Sequence, residues 1–354
     1  MPEQYLQRCL QLAALGQTSV EPNPNVGSVI VHEGRIIGEG YHTQIGAPHA
    51  EVEAVRSVED KSLLQNSTIY VSLEPCSHFG KTPPCADLII KHQIPRVVIG
   101  CLDPNPKVAG NGVNRLREAG VQVDIVEDAF PFKWFLRKFF VNQILKRPYI
   151  SLKWAETPEG YIAAKSLDGQ LQAVAITGKE SKAFTHSLRA FHQAILIGRT
   201  TAEVDNPQLT TRNFPGKHPL RIVFDKKAQL NKDLHLFKDG HETLLISNEK
   251  GENTEALRYM KPAKWKLSAL LTQLYKEEKV GSILVEGGAR VLNDFIDQGL
   301  YDEIYQFIGS AYIPSGIYGP LLPDDSPLDF QQDMGKDQLF YGRSKKLEEL
   351  LRKN

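Results

Sequence analysis

The sequence predicts an α/β protein with two domains. Short runs rich in β-branched residues alternate with stretches of helical spacing, and this alternation is typical of a sheet flanked by helices. The length of 354 residues exceeds what one hydrophobic core usually serves. An aromatic-rich stretch that ends near Pro148 separates two alternating series. We therefore place the domains at residues 1–146 and 147–354.

The first domain begins with an amphipathic helix. The leucines of MPEQYLQRCLQLAALG have helical spacing, interrupted by Glu3 and Arg8, and no long apolar region typical of a signal peptide is present. The strands and helices that follow are predicted at GSVIVHEG, AEVEAVRSV, STIYVSL, CADLIIKHQ, RVVIGC, GVNRLREAG and VQVDIVE. After Glu127, the aromatic residues of DAFPFKWFLRKFFVNQILKRP favour a helix packed on this domain.

The second domain repeats the α/β alternation without being a copy of the first. Its predicted segments are YISLKWAE, AILIGRTT, LRIVFD, TLLISNE, GSILVEGGARVLNDFIDQGL and YDEIYQFIGSAYI. The final SKKLEELLRKN predicts a charged, exposed helix.

Composition narrows the class of protein. Lysine plus arginine and aspartate plus glutamate number 42 each, so no excess of positive charge favours nucleic-acid binding. No apolar run approaches the roughly 20 residues of a membrane span. We expect a cytoplasmic protein, where paired cysteines are more often metal ligands than disulfides. The sequence leaves open whether the chain forms a homo-oligomer.

Two of the four cysteines stand in the segment EPCSHFGKTPPC. Upstream, APHAEVEAVRS places His49 and Glu51 in the first turn of a helix that Pro48 can start. Together with Pro75, Cys76 and Cys85, this gives the H-x-E, P-C and C pattern of zinc deaminases.

The chemistry of deamination explains these residue types. A catalytic zinc ion takes three protein ligands and keeps a fourth position for water, and His49, Cys76 and Cys85 would be those ligands. Glu51, near the metal without binding it, would carry protons between the water and the leaving ammonia. A purely structural zinc is the alternative, but it would require a fourth ligand and leave Glu51 without a role.

The gap between the two cysteines is wider than the usual P-C-x-x-C. The extra residues bring His78 and Lys81 to the rim of the site, which suggests a substrate with an anionic group such as phosphate. A solvated lysine is the alternative for Lys81.

Two turns of the first domain also fit a substrate pocket. Asn23 and Asn25 precede a strand, and their amides could recognise the edge of a heterocycle. The segment CLDPNPKVAGNG follows the strand RVVIG, at the carboxyl end where open α/β sheets bind ligands. Taken alone, turns of this kind are more often structural than functional. Cys9 and Cys101 have no partner spacing and are expected to be buried thiols.

Taken together, NPNVGSVIV, GEGYH, PHAEVEA, LEPCSHFGKTPPC and DPNPKVAGNG closely resemble the deaminase half of the bifunctional riboflavin-biosynthesis deaminase/reductase family. The resemblance implies a cytidine-deaminase-like αβα domain with one zinc ion per deaminase site. The amine would be removed from 2,5-diamino-6-(5-phosphoribosylamino)pyrimidin-4(3H)-one. It also implies the following substrate contacts: Asn23, His42, His78, Lys81, Asp103 and Asn105.

The second domain resembles the reductase of the same family in YISLKWA, HSLRAFHQAILIGRTTAEVDNPQLTTR, LRIVFD and ILVEGGARVLNDFI. This implies a dihydrofolate-reductase-like fold in which NADPH reduces the ribosyl group to ribityl. The implied substrate contacts are Arg189, Leu209, Arg212 and Glu286. The implied cofactor contacts are Ala155, Thr201, Asp205, Gly288, Ala289, Arg290, Val291, Leu292, Asn293 and Asp294.

Physical reasoning agrees with part of this assignment. VEGG ends a strand and opens a helix, where backbone N–H groups can hold a phosphate. An ordinary strand-to-helix turn without a ligand is the alternative for this segment. Arg189 and Arg212 suit bidentate binding of a substrate phosphate. A capping or turn role is the alternative for Asp205. The chain departs from the family pattern at residues 156–160 (ETPEG) and at Ala173 and Ala175, where a serine and a tryptophan are common.

We therefore expect a bifunctional enzyme that binds small phosphorylated pyrimidines, without a nucleic-acid or membrane partner. A nucleoside or tRNA-base deaminase with an appended domain is one rival hypothesis, but it leaves Lys81 and the second pocket unused. A zinc-stapled nucleic-acid-binding module is the other, and the balanced charge argues against it.

Overall fold

The computed structural model describes residues 2–78, 83–105, 108–322 and 328–353. The chain divides into two compact units: the first comprises residues 1–145 and 350–354, and the second comprises residues 146–349. No helix in the described ranges is both long enough and apolar enough to cross a membrane.

The first unit contains one five-stranded sheet. Its strands are β1 (Gly27–His32), β2 (Arg35–Tyr41), β3 (Thr68–Val71), β4 (Arg96–Ile99) and β5 (Gln122–Ile125). The order in the sheet is β2-β1-β3-β4-β5; β1 pairs antiparallel with β2 and β3, whereas β3, β4 and β5 run parallel. The carboxyl ends of β3 and β4 therefore meet at one edge of the sheet.

The described residues of this unit form six α-helices and two short 3-10 helices, Gln17–Ser19 and Lys61–Asn66. The α-helices are α1 (Pro2–Ala14), α2 (Ala50–Ser57), α3 (Cys85–Lys91), α4 (Asn111–Glu118), α5 (Phe130–Phe135) and α6 (Arg137–Leu145). The single aromatic helix predicted from the sequence is thus two helices, because the backbone of Leu136 leaves helical geometry (φ −90°, ψ 12°). Fully buried aliphatic residues such as Ile30, Leu64 and Ile69 form the core around the sheet.

The second unit is built on a nine-stranded sheet in the order β12-β11-β10-β9-β13-β6-β14-β17-β16. The strands are β6 (Tyr149–Glu156), β9 (Ala194–Gly198), β10 (Leu220–Phe224), β11 (Thr243–Ile246), β12 (Leu257–Met260), β13 (Ser282–Val285), β14 (Glu303–Ile308), β16 (Leu328–Met334) and β17 (Asp337–Arg343). Seven neighbouring strands, from β12 to β14, are parallel, and β17 and β16 complete the sheet in antiparallel pairing.

A small antiparallel sheet accompanies the large one, in the order β15-β7-β8. Its strands are β7 (Tyr161–Lys165), β8 (Leu171–Gln172) and β15 (Gly316–Tyr318). The remaining helices are α7 (Lys179–Ala190), α8 (Arg199–Asp205), α9 (His235–Lys238), α10 (Leu267–Lys276), α11 (Ala289–Asp297) and α12 (Lys345–Lys353). The prediction that the last helix is simply exposed is wrong in part, because Leu347 and Leu351 are buried.

Candidate active sites

A cluster of one imidazole and two thiols lies at the carboxyl edge of the first sheet. His49 precedes α2 as its N-cap residue, Cys76 follows β3 by five residues, and Cys85 is the first residue of α3. Their ligand atoms all lie within 4.8 Å of one another. His49 was predicted in the first turn of the helix; its backbone is extended instead (φ −72°, ψ 163°). In the described part of the chain this is the one such group of three.

The contacts within the cluster suit a soft divalent metal ion. His49 Nδ1 lies 3.6 Å from Cys76 Sγ and 3.4 Å from Cys85 Sγ. Hydrogen bonds lower the pKa of Cys76 to about 4, although burial acts to raise it. The largest contribution comes from the Cys85 thiol, and His49 and the Cys85 N–H add to it. The pKa of Cys85 is raised by the neighbouring Cys76 and by burial. Two sulfurs and one imidazole nitrogen form a donor set that fits zinc.

Glu51 lies beside this cluster. It is the second residue of α2, two positions after the N-cap residue His49. Its side chain is buried, and Oε2 has no hydrogen-bond partner among the described residues. Burial and the charge of Cys76 raise the pKa of this carboxyl group to about 7. A buried carboxyl oxygen without a partner is costly, so its presence beside a metal-binding cluster indicates a ligand.

Two further buried atoms near the N-terminal turn and α2 also lack a partner in the described structure. They are Asn25 Oδ1 and His42 Nε2. The other ring nitrogen of His42 hydrogen-bonds the carbonyl of Pro48 at 3.0 Å, and the ring meets that of His49 edge-on at 5.5 Å. Burial lowers the pKa of His42, which favours the neutral imidazole. By contrast Asn23 is exposed, so Asn25 is the better-placed amide of the pair.

The remaining predicted contacts of the deaminase substrate lie after β3 and β4. His78 is exposed two residues beyond Cys76. Asp103 Oδ1 accepts a hydrogen bond from the backbone N–H of Asn105 at 2.7 Å. Burial raises the pKa of Asp103, which also responds to the charges of His78 and Cys76. Lys81 lies outside the described residues.

The second unit holds a cavity of about 1130 Å³ at the carboxyl ends of β6, β9, β10 and β13. Twelve of the predicted reductase residues line it: Ala155, Arg189, Thr201, Asp205, Arg212, Glu286, Gly288, Ala289, Arg290, Val291, Leu292 and Asp294. Leu209 and Asn293 are not among the lining residues. Leu209 is buried in a hydrophobic cluster and has a positive φ of 56°.

A bidentate ion pair stands in this cavity. Arg189 donates from Nε to Glu286 Oε1 and from Nη2 to Oε2, each at 2.7 Å, and from Nη1 to the Thr210 carbonyl at 3.2 Å. Burial alone would raise the pKa of Glu286, but the charge and hydrogen bonds of Arg189 outweigh it and lower the pKa. Glu286 is therefore held as a carboxylate.

The cavity residues that the sequence analysis did not name include Lys153 and His186. Burial lowers the pKa of the Lys153 amine, although Glu286 acts in the opposite direction. His186 hydrogen-bonds the carbonyl of Thr210 at 2.8 Å through Nδ1, and burial lowers its pKa as well. Lys153 could have been found, because it is the one charged residue within the apolar run YISLKWA.

The part of the cavity wall predicted to bind the cofactor lies where β13 leads into α11. Gly288, the N-cap residue of α11, has φ +72°, a conformation that glycine adopts more readily than other residues. A Cβ at Gly287 would lie 2.4 Å from the Cα of Ile197. The glycines thus allow this backbone to lie against β9 and leave the start of the helix accessible.

Asp205 is the last residue of α8. Burial raises the pKa of its carboxyl group, and no hydrogen bond or ion pair from a described residue contributes to that shift. Of the departures from the family pattern, Ala175 lines the cavity and Ala173 is exposed. In the altered turn, Glu156 accepts hydrogen bonds from Trp154 and Gln306, both at 2.8 Å. Glu156 therefore helps to fix Trp154, which lines the cavity.

Comparison with known proteins assigns a family to each half. Residues 1–101 match the cytidine and deoxycytidylate deaminase zinc-binding region, and residues 148–328 match the RibD C-terminal domain. The riboflavin biosynthesis protein RibD of Aquifex aeolicus is 38% identical over 88% of this chain and 88% of its own. RibD of Escherichia coli is 35% identical over 90% of each chain.

Solved structures agree over nearly the whole chain. A diaminohydroxyphosphoribosylaminopyrimidine deaminase/5-amino-6-(5-phosphoribosylamino)uracil reductase from Thermotoga maritima is 34% identical, with a TM-score of 0.87 over 97% of this chain and 98% of that one. RibD of Acinetobacter baumannii is 28% identical, with a TM-score of 0.85 and the same coverage.

These findings confirm the predicted fold class, a cytidine-deaminase-like domain followed by a dihydrofolate-reductase-like domain. They also confirm that the chain is an enzyme, with a zinc-binding deaminase domain and a reductase domain whose family implies a nicotinamide cofactor. The chain belongs to the riboflavin biosynthesis protein RibD family, the bifunctional deaminases and reductases of riboflavin biosynthesis.

Proposed function

We propose that residues 1–146 hydrolytically deaminate 2,5-diamino-6-(5-phosphoribosylamino)pyrimidin-4(3H)-one and that residues 147–354 reduce the ribosyl group of the product to ribityl with NADPH. The observation that carries the first half is the unpartnered Glu51 Oε2 beside the His49, Cys76 and Cys85 cluster. The names of the similar proteins and the residues lining the second cavity support the second half.

His49, Cys76 and Cys85 would hold the zinc ion of the deaminase site. Bound there, zinc supplies Lewis acidity, which lets water act as a nucleophile near neutral pH. Glu51 accepts the proton of the attacking water and delivers it to the ring nitrogen, and a second transfer allows ammonia to leave. Water and the amine are thereby exchanged for a carbonyl oxygen and ammonia, with no oxidant or reductant needed.

His42, Asp103 and Asn105 would position the pyrimidine, with Asn23, His78 and Lys81 as further contacts. Support comes from the unpartnered Nε2 of His42, which can hydrogen-bond a heterocycle, and from the charges of His78 and Cys76 that act on the Asp103 carboxyl. Asn25, whose Oδ1 is buried and also lacks a partner among the described residues, is an additional candidate.

In the reductase, Arg212 and Arg189 would bind the substrate beside Glu286, and Asp205 and Thr201 would contact the cofactor. Arg212 makes one hydrogen bond of 3.5 Å to Thr210 Oγ1 and no ion pair with a described residue, so its guanidinium is available to a phosphate. Leu209 would contact the substrate through its backbone, because its side chain packs in a hydrophobic cluster. Residues 288–294 would bind the cofactor at the helix start. The reduction adds a hydride from NADPH and one proton to the substrate.

NADPH is favoured over NADH by basic residues that line the cavity, among them Lys226, Lys266 and Arg199. Arg199 is already paired with Glu203 at 3.0 Å. Lys226 forms no ion pair with a described residue, and its Nζ lies 5.6 Å from the centre of the Trp265 ring. This lysine would contact the 2′-phosphate, with Trp265 beside the adenine.

Replacing this lysine tests the choice of cofactor. Lys226→Ala should reduce kcat/KM for NADPH by roughly 10- to 100-fold, as expected for a charge-assisted hydrogen bond, and leave that for NADH nearly unchanged. Lys227→Ala, the exposed neighbour outside the cavity, is the matched control. An equal loss with both cofactors would remove Lys226 from the 2′-phosphate site.

The two-step activity is tested in one assay that supplies the phosphorylated pyrimidine and NADPH and follows ammonia release and NADPH absorbance together. Glu51→Gln should keep zinc but lose ammonia release by about two orders of magnitude or more, and NADPH oxidation should return when the deaminated pyrimidine is supplied. Asp205→Ala and Arg212→Ala should abolish or cripple NADPH oxidation and keep ammonia release.

Two outcomes would contradict the proposal. A wild-type protein that deaminates but never oxidises NADPH would mean that Ala173 and Ala175 mark an inactive reductase. Deamination of cytidine instead of the phosphorylated pyrimidine would favour a nucleoside deaminase. We place the protein in the cytoplasm, with small phosphorylated pyrimidines as its substrates; the four free cysteines suit a reducing compartment.

A further inference from the structure

Glu74 is a buried carboxylate that the proposed mechanism does not use. It follows β3, two residues before Cys76, and only 5% of its surface is exposed. Oε2 accepts hydrogen bonds from the backbone N–H groups of Asp103 at 3.2 Å and Gly110 at 3.0 Å. Oε1 accepts from Gly112 at 2.9 Å and Val113 at 3.3 Å. One carboxylate thus binds four backbone donors.

These donors come from both ends of one segment. Asp103 stands at its start, after β4, and the other three belong to the beginning of α4. Because carboxylates are stabilised at helix N-termini, Glu74 already serves as the anion at this helix start. A substrate phosphate must therefore bind elsewhere in the deaminase site.

The start of α4 also lies in close contact with the residues around the ligand cluster. A Cβ at Gly112 would lie 2.1 Å from the carbonyl oxygen of Pro75, so only glycine fits. Arg115 donates to the carbonyl of Ser77 at 3.4 Å and forms an ion pair with Asp87 at 2.5 Å. Ser77 is adjacent to Cys76, and Asp87 follows Cys85 by two residues.

We propose that Glu74 is a positioning residue of the deaminase: its carboxylate fixes Asp103 and the start of α4 relative to the zinc ligands, and so shapes the wall that binds the substrate. The inference rests on the proposed assignment of Asp103 to the deaminase substrate. Glu74 itself touches neither the substrate nor the metal; it acts through the backbone N–H groups of Asp103 and of the start of α4.

Glu74→Gln tests this role, since the amide NH₂ cannot accept and one pair of the four hydrogen bonds is lost. We expect KM for the deaminase substrate to rise by about tenfold or more, with kcat, zinc content and NADPH oxidation close to wild type. Backbone hydrogen exchange should accelerate in a peptide covering residues 103–113 and not in α1. Glu74→Asp, which keeps the charge but shortens the side chain, should give a smaller rise in KM.

Glu21→Gln is the matched control, because Glu21 is equally buried in the same unit and pairs with Lys138 at 2.8 Å. It should lower stability and leave KM unchanged. A wild-type KM in Glu74→Gln, or an equal rise in Glu21→Gln, would overturn the inference.

Asp103→Ala separates this inference from the proposed function. An unchanged KM in Asp103→Ala would remove Asp103 from the substrate site and the inference with it. A raised KM in Asp103→Ala together with a wild-type KM in Glu74→Gln would overturn the role of Glu74 alone. Should Glu74→Gln fail to retain zinc, Glu74→Asp with normal zinc content and a raised KM would still support positioning, and a normal KM there would refute it.

Discussion

At the scale of single residues, the reductase cavity depends on the Arg189–Glu286 pair. Their side chains are only 12% and 8% exposed, so each charge has given up most of its hydration in exchange for the other. Removing one partner of a buried pair leaves an uncompensated charge, which costs far more than the net value of the intact pair.

Arg189→Met should therefore lower the free energy of unfolding of the second unit by about 3–5 kcal/mol, measured by urea denaturation. The double variant Arg189→Met with Glu286→Leu should recover much of that loss, because no buried charge remains. Arg199→Met, which breaks the exposed pair with Glu203, is the control and should cost at most about 1 kcal/mol. Equal losses for Arg189→Met and Arg199→Met would show that the pair is not effectively buried.

The same pair predicts a response to acid. The pKa of Glu286 is lowered on folding, so the unfolded chain binds its proton first as the pH falls. Stability contributed by this carboxylate is complete above its ordinary pKa of about 4.3 and is lost as the pH drops through the lower folded-state pKa. In Glu286→Gln, the free energy of unfolding should vary less steeply with pH below about 4.3 than in wild type. An unchanged slope would count against the lowered pKa.

What the sequence predicted at this scale depended on spacing. The separations between His49, Cys76 and Cys85 were enough to predict a metal cluster, because few other arrangements use those residue types together. Lys153 and His186 were missed for different reasons. Lys153 lies within an apolar strand, whose residues are expected to form the hydrophobic core. His186 is one polar residue among several on an amphipathic helix.

At the scale of elements, the turn between β13 and α11 combines a strand end, a helix start and a strained backbone. Gly288 has φ +72° and ψ 138°, and a Cβ there would lie 2.9 Å from Thr201 Oγ1. Alanine would have to adopt a conformation that costs about 1–3 kcal/mol or move the helix start.

Gly288→Ala should raise KM for NADPH by roughly tenfold, because about 1.4 kcal/mol of lost binding corresponds to that factor. Gly240→Ala is the matched control: its φ is +77°, nothing lies within 4 Å of the added Cβ, and it is not a cavity residue. A steady-state NADPH titration of both variants checks this. If Gly240→Ala raised KM as much, general backbone strain would be the cause.

Elements with a buried face were predicted well, and exposed ones were not. Strands β6, β9, β10 and β13 are apolar runs that the sequence marks clearly. Strand β16 is exposed along nearly its whole length, so it carries no alternation to detect. Strand β8 has two residues and exists only through its pairing with β7. The buried leucines of α12 were hidden by its many charges.

At the scale of the whole molecule, the number of alternating series predicted two α/β halves, but strand order was beyond the sequence. In the second sheet, β6 lies between β13 and β14, more than 120 residues away along the chain. Such pairings depend on long-range contacts that no local pattern records.

Removing the metal should affect the deaminase half of the protein and spare the reductase half. Because structural elements of the first unit converge on the ligand cluster, chelation should lower the temperature of its unfolding and abolish ammonia release. NADPH oxidation with the deaminated pyrimidine should persist. Calorimetry before and after chelation, with readdition of zinc as the control, checks this. A simultaneous loss of both activities would contradict separate cores.

The arrangement of the cysteines also has a consequence for oxidative damage. Cys9 and Cys101 are fully buried. Cys76 and Cys85 are the two cysteines close to each other, with their sulfurs within 4.8 Å. Without zinc, these two thiols are close enough for side-chain rotation to bring them to bonding distance. We expect mild peroxide to convert metal-free protein to a Cys76–Cys85 disulfide that no longer takes up zinc until it is reduced, and the zinc-loaded protein to resist. Thiol titration of the metal-free protein should then count two fewer reactive groups, and an unchanged count there would mean that no disulfide forms. The same loss in the zinc-loaded protein would mean that the metal does not shield the thiols.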